Sequence, residues 1–355
     1  MAPLSQALSV HKVERQDLGD KESLWSGLID LEWTVALVPN GGYVIGLILE
    51  SCVAHQKLYS SKVTEPVHIS AHFLRPVQGV VPSKEPGSRT VKQSATFEVH
   101  VKSVKGGSSL NNLQAELVQN GNTMVSAHLI FGVSLPSAES DTVLPVDSKT
   151  LVPPSPYARR IPLRTRPSNS SEIRLYDVWN FKDRITGKED PVFQHLNKAE
   201  NRVFDSDGSV QREPPGIEFG AWLTFKDEAG TLRPSMLPFC TDIIKPLPEL
   251  LPLEENPLVG KTWYATLTLS IEFKSPICID SQTGVTLGLY SVGRFLQDPL
   301  GRHETVVEVW TAPSGEASES DDGSWREKQR CLATAVQTAL CIPFEQQSKG
   351  IKSRV

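Results

Sequence analysis

Three polar residues in the second half of the chain, Asp242, Thr266 and Gln337, could together hold and activate a water molecule. A carboxylate can take a proton as a general base, and a hydroxyl and an amide can orient the water through hydrogen bonds. A water positioned in this way could attack an activated carbonyl without a covalent intermediate. A backbone N–H at a helix N-terminus could stabilise the oxyanion that forms.

These residues stand out because the sequence contains two similar sets of stretches in the same order. Residues 69–76 share the spacing Ile/Leu-Ser-x-x-Phe-x-x-Pro with residues 269–276. At the same offset, the helix-like run 40–47 corresponds to residues 240–247. The chain is therefore predicted to contain a duplicated unit.

A third pair of stretches, 125–131 and 332–338, completes the comparison at a slightly larger offset. The first copy has Gly42, Pro66 and Ile130 at the positions where the second copy has the three polar residues. Only the second copy therefore carries polar groups at these positions, which indicates where chemistry would take place.

Gln337 is the most informative of the three because the rest of its strand face carries small side chains. That face consists of Cys331, Ala333, Ala335, Gln337, Ala339 and Cys341. Such a face could form the floor of a narrow groove. A buried amide there must find hydrogen-bond partners or lose roughly 1–3 kcal/mol in desolvation. Asp242 and Thr266 would supply those partners.

Each of the three residues also has an ordinary structural interpretation. Asp242 could pair with Lys245, Thr266 could be a plain strand residue, and Gln337 could be a satisfied core amide. The sequence lacks the Gly-x-Ser-x-Gly, Walker, Gly-x-Gly-x-x-Gly and His-Glu-x-x-His motifs. The chemistry, if present, must come from residues that look unremarkable on their own.

A metal site is not favoured by the sequence. His68 and His72 share a strand face and could join His100 around an ion, but no carboxylate or cysteine lies at ligand spacing. The five cysteines are scattered and include no Cys-x-x-Cys pair, so we expect reduced thiols. We therefore predict no metal and no cofactor.

The elements that position the three residues follow from hydrophobic patterns. Residues 262–276 predict the clearest strand because apolar and polar side chains alternate along it. One face would carry Leu267, Leu269, Ile271 and Phe273, and the other Thr266, Thr268, Ser270 and Glu272. The remaining strands are predicted at 30–38, 67–74, 94–104, 110–119, 124–132, 216–223, 285–295, 304–310 and 328–342.

Two helices are predicted, one in each copy. Residues 43–55 have apolar residues at helical spacing, with one buried stripe and Asn40 as a suitable N-cap. The second helix, within 234–250, is interrupted by prolines, so its ordered part must be short. One helix with a run of antiparallel strands predicts an α+β unit whose sheet wraps the helix.

Length and composition set the organisation of the chain. The 355 residues suit two units, which we place at 1–135 and 216–345. A connection rich in Pro, Ser, Asp and Arg spans 136–215 and is expected to be partly ordered around 175–181, and a polar tail covers 346–355.

Charge and targeting signals exclude some classes of partner. The formal net charge of -5 argues against a nucleic-acid groove, because phosphate contacts need an excess of Lys and Arg. No apolar run is long enough to span a bilayer, and the first residues lack a signal peptide. We expect a cytoplasmic protein. The alternative is the peroxisome, because residues 353–355 loosely resemble a C-terminal peroxisomal address.

Several motifs resemble the double-hotdog acyl-CoA thioesterases of the type II family and their thioesterase-like relatives. They are Pro-Asn-Gly-Gly-Tyr at 39–43, His-Phe-Leu-Arg-Pro at 72–76, Thr-Asp at 241–242, the strand at 266–276 and Ala-Val-Gln at 335–337. The resemblance covers roughly residues 25–135 and 216–343. It implies an α+β double hotdog, with two repeats that each wrap an antiparallel sheet around a central helix.

The resemblance also implies an activity. That family hydrolyses acyl-CoA thioesters with an Asp, a Thr or Ser, and a Gln around a water. The Asp that begins the second helix falls on Asp242, the hydroxyl residue on Thr266 and the Gln on Gln337. Thr268, Leu269 and Glu272 depart from the family strand, which leaves the substrate open.

The implied substrate is an acyl-CoA or an acyl-carrier thioester. Its acyl chain would lie in a groove lined by Ala333, Ala335 and Ala339, with Gly41 and Gly42 on the other side. Two chains could form a homodimer through their sheets. The alternatives are a non-hydrolytic acyl-binding protein, or a hotdog lyase or isomerase that tailors a biosynthetic intermediate. A hydratase would need a His beside its Asp, which the chain does not offer.

Overall fold

The computed structural model describes most of the chain. The described residues are 2–60, 62–80, 93–133, 152–198, 216–228, 230–251, 261–274, 280–281, 285–296, 301–313 and 323–343. The predicted tail 346–355, with its C-terminal tripeptide, lies outside these ranges, and so do both ends of the predicted connection 136–215.

The first half contains α1 Leu4–Ala7, β1 His11–Val13, β2 Glu22–Leu28, β3 Thr34–Val35, β4 Val38–Pro39, α2 Gly41–Tyr59, β5 Glu65–Phe73, β6 Thr96–Lys105, β7 Leu110–Gln119 and β8 Asn122–Gly132. Residues 152–198, within the predicted connection, contain β9 Ser171–Glu172, β10 Ile185–Glu189 and α3 Pro191–Leu196. The second half contains β11 Ile217–Phe225, β12 Gly230–Thr231, α4 Leu237–Asp242, β13 Thr262–Phe273, β14 Asp280–Ser281, β15 Val285–Phe295, β16 His303–Thr311 and β17 Cys331–Pro343.

Thirteen of these strands form one antiparallel sheet in the order β1-β2-β6-β7-β8-β5-β13-β17-β16-β15-β11-β10-β9. Its two halves meet where β5 pairs with β13, with Ser70 opposite Ser270. The hydroxyl of Ser270 donates to that of Ser70 over 3.0 Å. The strand order is matched on the two sides of this pair, and the connection adds β10 and β9 at one edge. The large antiparallel sheet with few helices is the architecture that the strand patterns predict.

Helix α2 belongs to the first half of the chain and contacts β5, β6 and β7. Its N-cap is Asn40, as predicted, whose side-chain oxygen accepts from the backbone N–H of Tyr43 over 3.1 Å. The prediction of a single buried stripe is wrong. Residues around the whole circumference are buried: Gly42, Tyr43, Val44, Ile45, Gly46, Leu47, Ile48, Leu49, Ser51, Cys52, His55 and Gln56. The helix is enclosed because β5, β6 and β7 contact it on one side and α4 on another.

Residues 30–38, predicted as a strand or approach segment, do not form one continuous strand but a 3-10 turn and the short strands β3 and β4. The side chain of Asp30 caps a 3-10 turn at Leu31–Trp33 by accepting from the N–H of Glu32 over 2.9 Å. Ala36 then has a positive φ of 55°, which turns the chain between β3 and β4. The turn places Trp33 in the core, where its ring centroid lies 6.0 Å from that of Phe181. A capping Asp and a left-handed residue therefore override the local strand pattern.

No helix within the described ranges is both long enough and apolar enough to pass through a lipid bilayer.

His55 is a buried histidine near the C-terminal end of α2, and we expect it to make stability depend on pH. Its ring nitrogens lie 2.7 Å from the hydroxyl of Ser23 and 2.9 Å from that of Ser103. Burial lowers its pKa from 6.5 to about 4. The unfolded chain therefore binds more protons than the folded chain between these values, so stability falls as the pH falls from 6.5 to 4. We expect a loss of about 2 kcal/mol.

Urea unfolding of the wild type and His55→Gln at pH 7 and pH 4.5 measures this loss. Groups other than His55 titrate equally in both proteins, so the difference between the two pH dependences isolates the histidine. Parallel pH dependences would show that His55 is not held neutral by the fold.

Candidate active site

Asp242 lies at the end of a short helix. The expectation that it begins the second helix is wrong, because Asp242 is the last residue of α4. Pro246 and Pro248 follow closely, and proline disfavours helical geometry in the residue before it. The chain therefore leaves α4 and forms a separate 3-10 turn at Leu247–Leu250. The carboxylate is thereby placed against the N-terminus of α2, since α2 and α4 are in contact.

Thr266 faces the helices because β13 contains a β-bulge. Strict alternation predicts that Thr266 points away from them, and that prediction is wrong. Thr266 pairs with Ala339 on β17, but Leu269 pairs with Gln337, so one extra residue is accommodated between Thr266 and Thr268. A bulge of this kind reverses the side-chain alternation and is frequent next to active sites. As a result, Thr266 lies on the same face as Gln337.

Gln337 lies on the buried face of β17 among small residues. The buried members of that face are Cys331, Ala333, Ala335, Gln337 and Ala339. Its counterpart in the first half, however, is not Ile130. Leu269 pairs with Gln337, while Ile69 pairs with Leu129. The predicted correspondence of Gln337 with Ile130 is therefore wrong by one residue, and Ile130 lies on the opposite face of its strand.

The three predicted catalytic side chains converge on one point. Gln337 Nε2 donates to Asp242 Oδ1 over 2.5 Å and lies 3.1 Å from Thr266 Oγ1. Thr266 Oγ1 lies 3.5 Å from Asp242 Oδ1, which is the limit of a hydrogen bond. A carboxylate, a hydroxyl and an amide within this distance of one another can jointly bind a water molecule.

The N-terminus of α2 completes the surroundings of Asp242. The backbone N–H of Gly42 donates to Asp242 Oδ2 over 2.9 Å. A Cβ at Gly42 would lie 2.2 Å from the carbonyl oxygen of Pro238, and one at Gly41 would lie 3.0 Å from Asp242 Oδ2. The two glycines therefore allow α2 to approach α4 closely enough for the hydrogen bond. Both were predicted to line the acyl groove, and they contact the carboxylate directly.

The other predicted groove residues are enclosed in the core. The exposed fractions of Ala333, Ala335 and Ala339 are 0%, 2% and 5%. Ala339 pairs directly with Thr266 across β13 and β17, so it adjoins the three polar residues, and Ala335 and Ala333 lie progressively farther along the same face. Their role in binding an acyl chain stays a prediction.

Burial raises the pKa of Asp242 to about 6, and hydrogen bonds from Gly42, Thr266 and Gln337 limit the rise. The alternative partner, Lys245, is instead close to Glu189. Burial raises the pKa of Glu189, and the charge of Lys245 offsets part of that rise. A carboxyl group with a pKa near 6 is ionised at neutral pH and is still basic enough to accept a proton from water.

Tyr264 also lies next to the site, and little in the sequence indicates it. It pairs with Cys341 and lies two residues before Thr266 on the same strand face, ahead of the bulge. The spacing of two residues is the one signal that could have identified it.

Solved structures with similar folds include thioesterases and a hotdog-fold protein. A candidate thioesterase II from Thermobifida fusca matches with a TM-score of 0.63 and 19% identity over 96% of this chain and 99% of that chain. A hotdog-fold protein of unknown function from Alicyclobacillus acidocaldarius matches with a TM-score of 0.60 and 13% identity over 95% and 97%. The acyl-CoA thioesterase II TesB2 from Mycobacterium marinum matches with a TM-score of 0.58 and 13% identity over 96% and 98%.

No protein-family profile matches the sequence, and no curated protein sequence matches it. The structural likenesses extend over nearly the whole of each chain at identities below 20%. They confirm, at the level of the fold, the resemblance to hotdog thioesterases that the sequence motifs indicate.

Proposed function

We propose that this chain hydrolyses an acyl thioester, most simply an acyl-CoA, to a carboxylic acid and a thiol. The observation that carries the proposal is the convergence of Asp242, Thr266 and Gln337 within hydrogen-bond distance. The fold shared with proteins that include an acyl-CoA thioesterase II supports it.

The proposal includes a duplicated architecture. The chain would consist of two hotdog repeats, 1–135 and 216–345, joined by the connection 136–215. The matched strand order around β5 and β13 supports this division, as does a second bulge in β5 between Pro66 and His68. Helices α2 and α4 would be the central helices of the two repeats, and a homodimer through the sheets is part of the same proposal.

In the proposed mechanism, a water binds beside Asp242 Oδ1 and Thr266 Oγ1. Asp242 removes one proton as the water oxygen forms a bond to the thioester carbonyl carbon, whose C=O π electrons move to the oxygen. The tetrahedral intermediate then collapses. The C–S bond breaks, the thiolate leaves, and Asp242 returns the proton to the sulfur, so that no group on the protein is consumed. Thr266 and Gln337 would orient the water by hydrogen bonds.

The N-terminus of α2 would act mainly on the base. Its Gly42 N–H donates to Asp242 and is therefore engaged by the carboxylate. The positive end of the α2 dipole faces this group and limits the rise in its pKa. An oxyanion that forms beside Asp242 would experience the same field.

The pH dependence of kcat/KM follows from the pKa of Asp242. A general base must be ionised, and the pKa of this carboxyl is about 6. We expect kcat/KM to rise about tenfold per pH unit below pH 6 and to level off above it. Rates of thiol release between pH 4.5 and 8 measure this profile. A profile that is flat down to pH 4.5 would show that a different group activates the water.

Thiol release from acyl-CoAs of graded chain length tests the proposed function itself. We expect turnover by the wild type and a large loss in Gln337→Ala, which removes the amide that contacts both Asp242 and Thr266. Failure of the wild type to release thiol from any acyl-CoA would contradict acyl-CoA hydrolysis. A carrier-bound thioester would then be assayed, and binding without turnover would indicate an acyl-binding protein.

A further inference from the structure

A hollow of about 380 Å³ lies on the outer face of the sheet, which is the face that points away from α2. On β7 and β8, Leu113 and Leu129 belong to the core that α2 shares, so their neighbours Asn112 and Ile130 point to the outer face. The lining comes from four adjacent strands and includes His68, Val104, Lys105, Asn112, His128 and Ile130. The three proposed catalytic residues lie on the other face, so the hollow is a separate site.

Two β-bulges flank this outer hollow. One lies in β5 between Pro66 and His68, and the other lies in β6 between Ser103 and Lys105. A bulge bends its strand and increases the local twist, so the two flanking strands bend relative to β7 and β8 between them. The bulges are at the two ends of one row of directly paired residues, which runs across the sheet as His68, Ile130, Asn112 and Lys105.

Lys105 differs from the other basic residues of β6 because its charge is not balanced by the protein. Lys102, on the same strand and face, pairs with Glu22 over 3.1 Å. His100 lies 3.4 Å from Glu98. Among the residues that the structure describes, no carboxylate forms an ion pair with Lys105. A positive charge is therefore available at the outer hollow.

The other polar groups of the outer hollow can donate hydrogen bonds. The ring of His68 is oriented by Glu272, whose Oε1 lies 2.8 Å from His68 Nδ1. The side chains of Asn112 and His128 have no hydrogen-bond partner within the described ranges. An amide and an imidazole each carry N–H donors, and the lining includes no carboxylate. An ammonium and several donors without an acidic group favour an anion as the ligand.

The apolar part of the lining indicates what kind of anion fits. Val104 and Ile130 border the hollow, and Val104 is 59% exposed. Contact with hydrocarbon would remove this apolar surface from water, which an inorganic anion cannot do. A carboxylate carries the single charge that one lysine balances, whereas a phosphate group carries nearly two. A hollow of this volume is also large enough for a small organic molecule.

We propose that the outer hollow binds a short aliphatic carboxylic acid, with its carboxylate at Lys105 and its hydrocarbon chain against Val104 and Ile130. Asn112 and His128 donate the remaining hydrogen bonds to the carboxylate. The inference does not rest on the proposed function, although thioester hydrolysis would release an acid of this class.

Titration of the full chain with hexanoate, hexan-1-ol and inorganic phosphate at constant pH tests the proposal. The readout is the NMR signal of the His128 ring, which is identified by its absence in His128→Gln. We expect hexanoate to shift this signal to saturation. Hexan-1-ol lacks the charge and phosphate lacks the chain, so each should bind about fivefold more weakly than hexanoate.

Lys105→Gln and Lys102→Gln form a matched pair of variants. Both lysines are exposed, so both variants should fold like the wild type. Lys105→Gln removes the charge at the hollow and should raise the Kd for hexanoate about fivefold. Lys102→Gln removes a charge that Glu22 already balances, so its Kd should equal that of the wild type. Hexanoate bound at the proposed catalytic site would neither shift the His128 signal nor respond to Lys105→Gln.

Three results would overturn the proposal. They are a His128 signal that hexanoate does not shift to saturation, equal affinities of the two lysine variants for hexanoate, and binding of hexan-1-ol or phosphate as tight as that of hexanoate. The titration measures binding and not turnover. A wild type that hydrolyses no acyl-CoA would therefore leave this test unaffected, and a failed titration would leave the proposed hydrolysis intact.

Discussion

Replacement of Asp242 by Asn is expected to lower kcat for thioester hydrolysis by about 10²–10⁴-fold. The amide cannot accept the proton of the attacking water, whereas the carboxylate can. The neighbours can adapt to the change, since the Asn oxygen can accept from the N–H of Gly42. The side-chain amide of Gln337 can then rotate by about 180° and present its oxygen to the Asn nitrogen. Initial rates of thiol release at pH 8, with circular dichroism to verify folding, measure the effect.

The stability of the same variant separates a functional from a structural carboxylate. The pKa of Asp242 rises from 3.8 to about 6 on folding, so the folded chain binds more protons than the unfolded chain between these values. Stability is therefore lost as the pH rises through this window, and the ionised carboxylate destabilises the folded chain at neutral pH. We expect Asp242→Asn to be more stable than the wild type at pH 7 by about 2 kcal/mol. This gain is smaller than the full pKa shift implies, because the residue retains some exposure.

The exposed carboxylate of Asp177 provides the control for this prediction. It pairs with Lys182 at the surface. Asp177→Asn should leave both activity and stability close to those of the wild type. A loss of stability in Asp242→Asn with unchanged turnover would contradict the catalytic assignment and would identify a purely structural residue.

Gly42→Ala is expected to be the most destabilising single substitution at the site. Its Cβ would lie 2.2 Å from the carbonyl oxygen of Pro238 and 2.7 Å from the Cα of Phe239. Both neighbours are backbone atoms of α4, which no side-chain rotation can move aside. The helices must separate, and we expect a loss of about 3 kcal/mol in the free energy of unfolding. Because the separation also breaks the bond from Gly42 to Asp242, turnover should fall in the molecules that remain folded.

Chemical denaturation of Gly42→Ala and Gly106→Ala measures the loss with a matched control. At Gly106, an added Cβ would approach only the side-chain oxygen of Asn111, at 3.8 Å. The control variant should unfold at nearly the same denaturant concentration as the wild type. Equal midpoints for all three proteins would mean that α2 and α4 do not pack as described.

Most strands could be predicted from the sequence because their alternation is governed by one buried face. The strands predicted at 110–119 and 285–295 coincide with β7 and β15. The polar Gln337 on a face of small residues was recognisable for the same reason. The bulge at Thr266 and Thr268 was not, because nothing in the alternation of β13 indicates where an extra residue is inserted. The three residues were identified by type and order, although the predicted face of Thr266 was wrong.

The helices were less predictable because their surroundings come from distant parts of the chain. The periodicity of α2 indicates one apolar stripe, but α4 covers another side, so burial extends around the helix. The end of α4 at Asp242 depends on prolines that follow it, and the closeness of Gly42 to Asp242 depends on packing between residues 200 positions apart. Contacts of this kind carry no local signal.

The pairing of β5 with β13 has a consequence during synthesis of the protein. Ser70 and Ser270 are 200 residues apart, and a ribosome needs roughly 10–40 s to add that many residues. For that time the edge of β5 that later pairs with β13 has no partner within its own chain, and an open edge can pair with another strand. Nascent chains on one messenger expose the same edge at close quarters, with Ser70 able to lie opposite Ser70. The delay before β13 emerges is therefore when this protein is most exposed to pairing with its own copies.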